Sequence, residues 1–200
     1  VSDSVQPLSN IKPISETQTM GVGDSSNDPA KMDYMAGRKF YSEGDYTQAI
    51  IAFHNALLGF EEQNDIQGVA NASDRLGDTC LAREEYEMAI KHFKRAAEIC
   101  EQEDDSFSVA SINKKMAVAY RQLGEAQNAF ELLFDLLEHY RLINNPKGVV
   151  EILQAIAELY EEIDEKEKAA DTYMTISSIH KNFKHEKLAR EFAEKAEKLQ

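Results

Sequence analysis

The chain has 200 residues, 42% hydrophobic and 29% charged, with a formal net charge of −14. There is enough apolar material for a core and enough charge for a hydrophilic surface. The acidic balance argues against nucleic acid, whose phosphates need a basic face, and against docking on anionic membranes.

No apolar run approaches the length of a membrane span, so no membrane insertion is expected, and no signal peptide is visible. The first residue is Val1 and not Met, which leaves an upstream signal or anchor open. Two cysteines, Cys80 and Cys100, are too few for a disulfide framework. They read as small buried hydrophobes in a reducing, cytoplasmic compartment.

Residues 1–29 read as a flexible polar leader, rich in Ser, Asp, Asn, Gln and Thr and holding Pro7, Pro13 and Pro29. Such a composition buries too little apolar surface to offset its ordering entropy. Asp28 before Pro29 predicts a helix start, with the carboxylate as N-cap and Pro at the first helical position. One helix is predicted from Pro29 to Ser42, a turn at Glu43-Gly44-Asp45, and a second helix from Tyr46 to Gln63. The turn recurs as Arg83-Glu84-Glu85, Leu123-Gly124-Glu125 and Ile163-Asp164-Glu165.

Between units the break is Asn64-Asp65, Asp104-Asp105 or Asn144-Asn145. Asn and Asp tolerate left-handed backbone and can cap the next helix. Gly68, Ser108 and Gly148 follow, and then Val69, Val109 and Val149. Four helix–turn–helix units are expected over 30–183, at about 30–65, 66–105, 106–145 and 146–183. A last helix over 184–200 carries Leu188, Phe192, Ala196 and Leu199 at helical spacing. It reads as the polar-faced cap that a terminal unit needs. The expected fold is all-α, an α-solenoid closed by a C-terminal capping helix.

The period is fixed. Gly37, Gly77, Ala117 and Ala157 lie 40 apart (77 − 37). Each is followed by a small residue, Ala49, Ala89, Ala129 or Ala169, and four later by a large one, Phe53, Phe93, Leu133 or Tyr173. The small residues let paired helices approach, and the large ones fill the space between. A constant period of this size marks a stack of supersecondary units. Leu76-Gly77 with Ala89 and Phe93, and Gly37, Tyr46, Ala49, Phe53 and Ala56, resemble the tetratricopeptide repeat. The usual repeat is roughly 34 residues. The longer unit here resembles the Pins/LGN and rapsyn class of scaffolds.

That resemblance implies that the first helix of each unit lines a concave groove, with no catalytic pocket. The groove stripe in the first unit is Lys31, Tyr34, Arg38 and Tyr41, on one side of a helix. Its equivalents are Asn71, Asp74, Asp78 and Leu81, then Ser111, Lys114, Val118 and Arg121, then Glu151, Gln154, Glu158 and Glu161, with Arg75 beside the second set. The signs alternate along the array. One reading is a groove for an extended or helical peptide of mixed charge, in which the charges set register. The other is that adjacent first helices pair their charges with each other. The terminal-carboxylate clamp of chaperone-tail-binding relatives is not reproduced. Its stripes hold Met35, Arg75, Lys115 and Ala155 beside Arg38, Asp78, Val118 and Glu158.

The five histidines, His54, His92, His139, His180 and His185, have no metal-ligand spacing and read as solvated surface residues. Gly21-Val22-Gly23 has no strand before it to make a phosphate loop, and the acidic run Glu161-Glu162-Ile163-Asp164-Glu165 lacks calcium-loop spacing. No catalytic site, cofactor or metal is expected. The functional expectation is a scaffold or adaptor, not an enzyme, that binds another protein or a peptide segment. The alternative is a structural subunit that self-associates as a homo-oligomer or packs through its ends or convex face. Leu57, Leu58, Phe60, Phe134, Leu137 and Tyr140 are its candidate contacts.

Overall fold

The computed structural model describes residues 28–199. The leader therefore lies almost wholly outside the described residues. Within them are nine α-helices and no strand: α1 Pro29–Ser42, α2 Tyr46–Gln63, α3 Ile66–Ala82, α4 Tyr86–Gln102, α5 Ser106–Gln122, α6 Ala126–Leu142, α7 Pro146–Glu162, α8 Lys166–Asn182 and α9 Glu186–Glu197. Each helix packs mainly on its neighbours in sequence, which is the contact pattern of a solenoid.

The junctions explain the regularity. Gly44, Asn64, Glu84, Asp104, Gly124, Asn144, Asp164 and Lys184 all have positive φ and lie 20 apart (64 − 44). At each, the next residue's N–H donates back across the helix end, as from Asp45 to the Phe40 carbonyl and from Glu85 to the Cys80 carbonyl, both at 2.9 Å. This is the Schellman closure, which satisfies carbonyls that a helix end would leave unpaired. The following residue then starts the next helix. Asp45, Asp65, Asp105 and Asn145 accept the backbone N–H three residues on, at 2.9–3.1 Å. Asp28 caps α1 by accepting from Ala30 N–H at 3.0 Å.

Small-on-large packing holds each unit together. Ala49, Ala89, Ala129 and Ala169 are fully buried, as are Phe53 and Phe93, with Leu133 and Tyr173 nearly so. A Cβ added at Gly77 would lie 2.4 Å from the Phe93 ring. A second set of such contacts joins successive units: Phe60 covers Gly68 and Tyr140 covers Gly148. Both glycines recur three residues after the Asn or Asp pair at the break, and the rings above them make them packing positions.

Several expectations need correction. The last helix is Glu186–Glu197, and Leu188 is exposed. Its buried stripe is Ala189, Phe192 and Ala196, so the inward register begins one residue later than the sequence suggested. Leu57, Phe60 and Leu137 are core residues, because each faces the neighbouring helix pair; only Leu58 and Phe134 of that group are exposed. Three of the histidines are less solvated than the sequence reading expects. His92, His139 and His180 are half-buried. His139 meets Phe107 edge-on at 6.0 Å, and His180 stacks on Phe192 at 5.6 Å. Cys80 is buried, and burial pushes its thiol up to about 11, with Glu85 adding to the effect. A thiol held neutral in this way is a poor nucleophile.

Candidate functional site

The first helices α1, α3, α5 and α7 recur every second element, so their equivalent stripes fall on one side of the stack. On α1, Lys31 is exposed and lies 3.5 Å from the Asp28 carboxylate. Arg38 is exposed. Tyr34 is half-buried, edge-on to Phe53 at 5.7 Å and to Phe60 at 6.2 Å. Burial raises the pKa of its hydroxyl, and the Arg75 guanidinium of the next unit opposes that rise. Tyr41 is half-buried, its ring 5.5 Å from Tyr46.

On α3, Asn71 is exposed, while Asp74, Arg75 and Asp78 are half-buried. Arg75 bridges both carboxylates, at 3.2 Å to Asp74 and 2.9 Å to Asp78. Lys115 reaches across from α5, pairing with Asp74 and lying 2.8 Å from Asp78. Its ammonium also lies 5.0 Å from the Phe93 ring centre. Burial and the adjacent Asp74 push the Asp78 carboxyl up, and Lys115 and Arg75 oppose that rise.

Between α5 and α7 the pattern continues. Lys114 meets Glu151 at 2.6 Å. Arg121 lies 3.2 Å from Glu158 and 2.6 Å from Glu162, and donates to Glu162 through Nε as well. Gln154 donates to Glu158 at 2.9 Å. Glu161 turns away to accept the Tyr173 hydroxyl of α8 at 2.5 Å. Val118 stays exposed in the middle of the face.

Charges on adjacent first helices therefore bond to one another, as the second sequence reading had it. Lys115 and Glu162 are part of this ladder and were absent from the expected groove set. Both lie one position beyond a stripe residue, at Lys114 and Glu161. A helix stripe is wide enough for the neighbour to serve when its side chain is long. Arg38, Asn71 and Ser111 are among the exposed polar groups of the set that take no part in the described ladder.

Residues 34–102 match the family model described as Tetratricopeptide repeat. The array has the tetratricopeptide-repeat fold. None of the curated proteins matches the sequence. Among solved structures, the apo form of RapI is similar with a TM-score of 0.73 and 17% identity, over 84% of this chain and 48% of that one. The chain thus spans about half the length of that protein. BtubC (BKLC) from P. vanneervenii gives 0.61 and 15%, over 84% and 78%. The Rap conjugation gene regulator of the plasmid pLS20, in complex with the Phr* peptide, gives 0.59 and 14%, over 90% and 58%. At these identities the likeness is one of fold. Tetratricopeptide folds are usually non-catalytic and usually mediate protein or peptide binding. Among the described residues no helix is long and apolar enough to cross a membrane, and no cluster of three or more His, Cys, Asp or Glu is arranged to hold a metal ion.

Proposed function

We propose that the chain is a non-enzymatic scaffold or adaptor that takes a peptide segment of a partner protein in the concave face of α1, α3, α5 and α7. The observation that supports this reading is the row of polar side chains, Arg38, Asn71 and Ser111, left exposed on the first helices beside their ion pairs. Long side chains that are already held in place lose little freedom when a ligand arrives, so less of the interaction energy is spent on ordering. Arg38 and Asn71 supply groups that face outward. An Asn side chain offers both donor and acceptor to a peptide backbone, and Arg38 offers a forked donor to a carboxylate. The similar Rap regulator with its Phr* peptide supports a peptide ligand for this architecture. The forty-residue repeat keeps the Pins/LGN and rapsyn likeness, and a cytoplasmic setting, within the same proposal.

The test is a peptide display library panned against the chain, with affinities of selected peptides measured by calorimetry. Arg38→Glu with Asn71→Ala is expected to weaken binding at least about tenfold, roughly 1.4 kcal/mol. Lys91→Glu on α4, outside the face, is expected to leave it unchanged. Selected peptides that bind the groove variant as well as wild type would place the binding surface elsewhere. The structural-subunit reading draws on half-exposed Phe134, which borders a cleft with Leu137, Leu153 and Tyr160. Light scattering that returns a stable oligomer would favour it.

A further inference from the structure

The two ends of the array are finished differently. At the C-terminal end, α9 turns outward a face of Lys187, Arg190, Glu191, Glu194 and Glu197, the polar surface expected of a terminal unit. At the N-terminal end four large apolar side chains, Met32, Met35, Ile51 and Leu58, are exposed. The repeat register shows which positions matter. The first helices α3, α5 and α7 each pack on the second helix of the preceding unit. Ala72, Ile112 and Ile152 are buried there. The residue 40 before Ala72 (72 − 40) is Met32, 58% exposed, and Met35 beside it is 60% exposed.

α2 departs from the repeat on the same side. Arg95 of α4 pairs with Glu61 of α2, so that face of a second helix looks toward the preceding unit. Its counterpart in α2 is Asn55, and Ile51 and Leu58 flank Asn55 at i−4 and i+3. In later units these two positions are Lys91, Glu131 and Asp171, and Glu98, Glu138 and Ser178. Only the first unit makes them apolar, and they are 50% and 46% exposed.

The preceding residues, outside the described part, have a matching pattern. Val5, Leu8, Ile11 and Ile14 are apolar at every third position, with only polar residues and Pro7 and Pro13 between. The interior prolines oppose a helix. A three-residue period puts all four side chains on one side of an extended left-handed chain. Nine steps of such a chain span about 28 Å. α1 and α2, of 14 and 18 residues, are about 21 and 27 Å long. The chain enters α1 where the two helices meet, since Gln63 at the end of α2 donates to Asp28 at 2.9 Å. Residues 15–28 are a polar tether whose reach of about 50 Å exceeds the face.

We propose that residues 5–14 of this chain lie along the open face of α1 and α2, with Val5, Leu8, Ile11 and Ile14 against Met32, Met35, Ile51 and Leu58. The segment needs no core of its own, because the array supplies the other half. A short tether holds it at an effective concentration near millimolar, which favours it over a second copy at ordinary protein concentrations. The polar composition of the leader as a whole hides this role.

Methionine oxidation reads the contact directly. Full-length chain is treated with dilute hydrogen peroxide and mapped by mass spectrometry, with circular dichroism to confirm the fold. Met32 and Met35 are expected to oxidise slowly, and about tenfold faster in the full-length double variant Leu8→Ser, Ile11→Ser. Leu58→Ser should release them similarly from the other side of the contact. Met88 and Met174, exposed elsewhere on the array, act as internal controls and should not change. Equal rates at Met32 and Met35 in wild type and double variant would overturn the proposal. So would protection that disappears on dilution together with a dimer seen by light scattering, which would assign the face to a second copy.

Discussion

Gly77 and Gly124 both belong to the repeat, but for different physical reasons. Gly77 has ordinary helical backbone, and its missing Cβ makes room for the buried Phe93 ring. Gly124 has φ +73 and open space around it. Gly77→Ala should therefore lose about 1–2 kcal/mol to overpacking, after the helix-propensity gain. Gly124→Ala should lose about 1 kcal/mol from the left-handed backbone alone. Thermal denaturation of both, with Phe93→Leu added to each, tells them apart: the smaller side chain should rescue Gly77→Ala only. Glu84 has φ 62 without being glycine, and Glu84→Gly should gain about 0.5 kcal/mol as strain relief outweighs chain entropy. The sequence marks Gly44 and Gly124 as turns. The repeat places Glu84 in a turn as well, but its letter does not announce a left-handed residue, and Lys184 reads as helix; the helix-closing geometry imposes the left-handed seat whichever residue occupies it.

At the scale of elements, adjacent first helices are joined to one another by charge, while each first helix packs on the second helices that flank it in sequence. Lys115 is the key cation of the α3–α5 junction, because it answers two carboxylates that already crowd one another. Lys115→Met should cost about 1–2 kcal/mol at neutral pH by leaving Asp78 undercompensated. Adding Asp78→Asn should recover much of that loss, a coupling that a double-mutant cycle measures. The pH dependence follows from the raised Asp78 carboxyl. Its neutral form favours the fold below the ordinary value of 3.8, and that contribution is lost as pH rises through the higher folded-state value. Removing Lys115 raises it further, so the variant's deficit should shrink as pH is lowered from 7 toward 4. A deficit that stays constant across that range would show that the lysine acts only through its packing on Phe93. Alternating signs on the stripe were legible in sequence. Which partner each charge takes was not, because it depends on how far adjacent units rotate.

As a whole molecule the array is a chain of nearest-neighbour contacts, and its ends should behave as ends. Phe192 of α9 stacks on Tyr173 of α8 at 6.0 Å, and Ser177 donates to the Ala189 carbonyl at 2.7 Å. Phe192→Ala should cost roughly 3 kcal/mol locally. Hydrogen exchange should show α8 and α9 losing protection while α3 to α6 keep theirs, as stacking without long-range contacts requires. Uniform loss along the chain would mean that the units unfold together.

By itself the sequence determined the solenoid, because a forty-residue period of small and large residues permits few other ways to bury them. It also determined the helix starts at Asp28, Asp45, Asp65, Asp105 and Asn145, since capping is a local bond between residues three or fewer apart. Only the tertiary structure decided the rest. The buried register of α9 depends on which side of the helix α8 presents. The roles of Gly68 and Gly148 depend on rings eight residues earlier in the chain. The ladder between first helices depends on partners about 40 residues distant, brought within reach by stacking. Local chemistry is written in neighbouring letters, whereas contacts between units are set by a rotation that no single unit encodes.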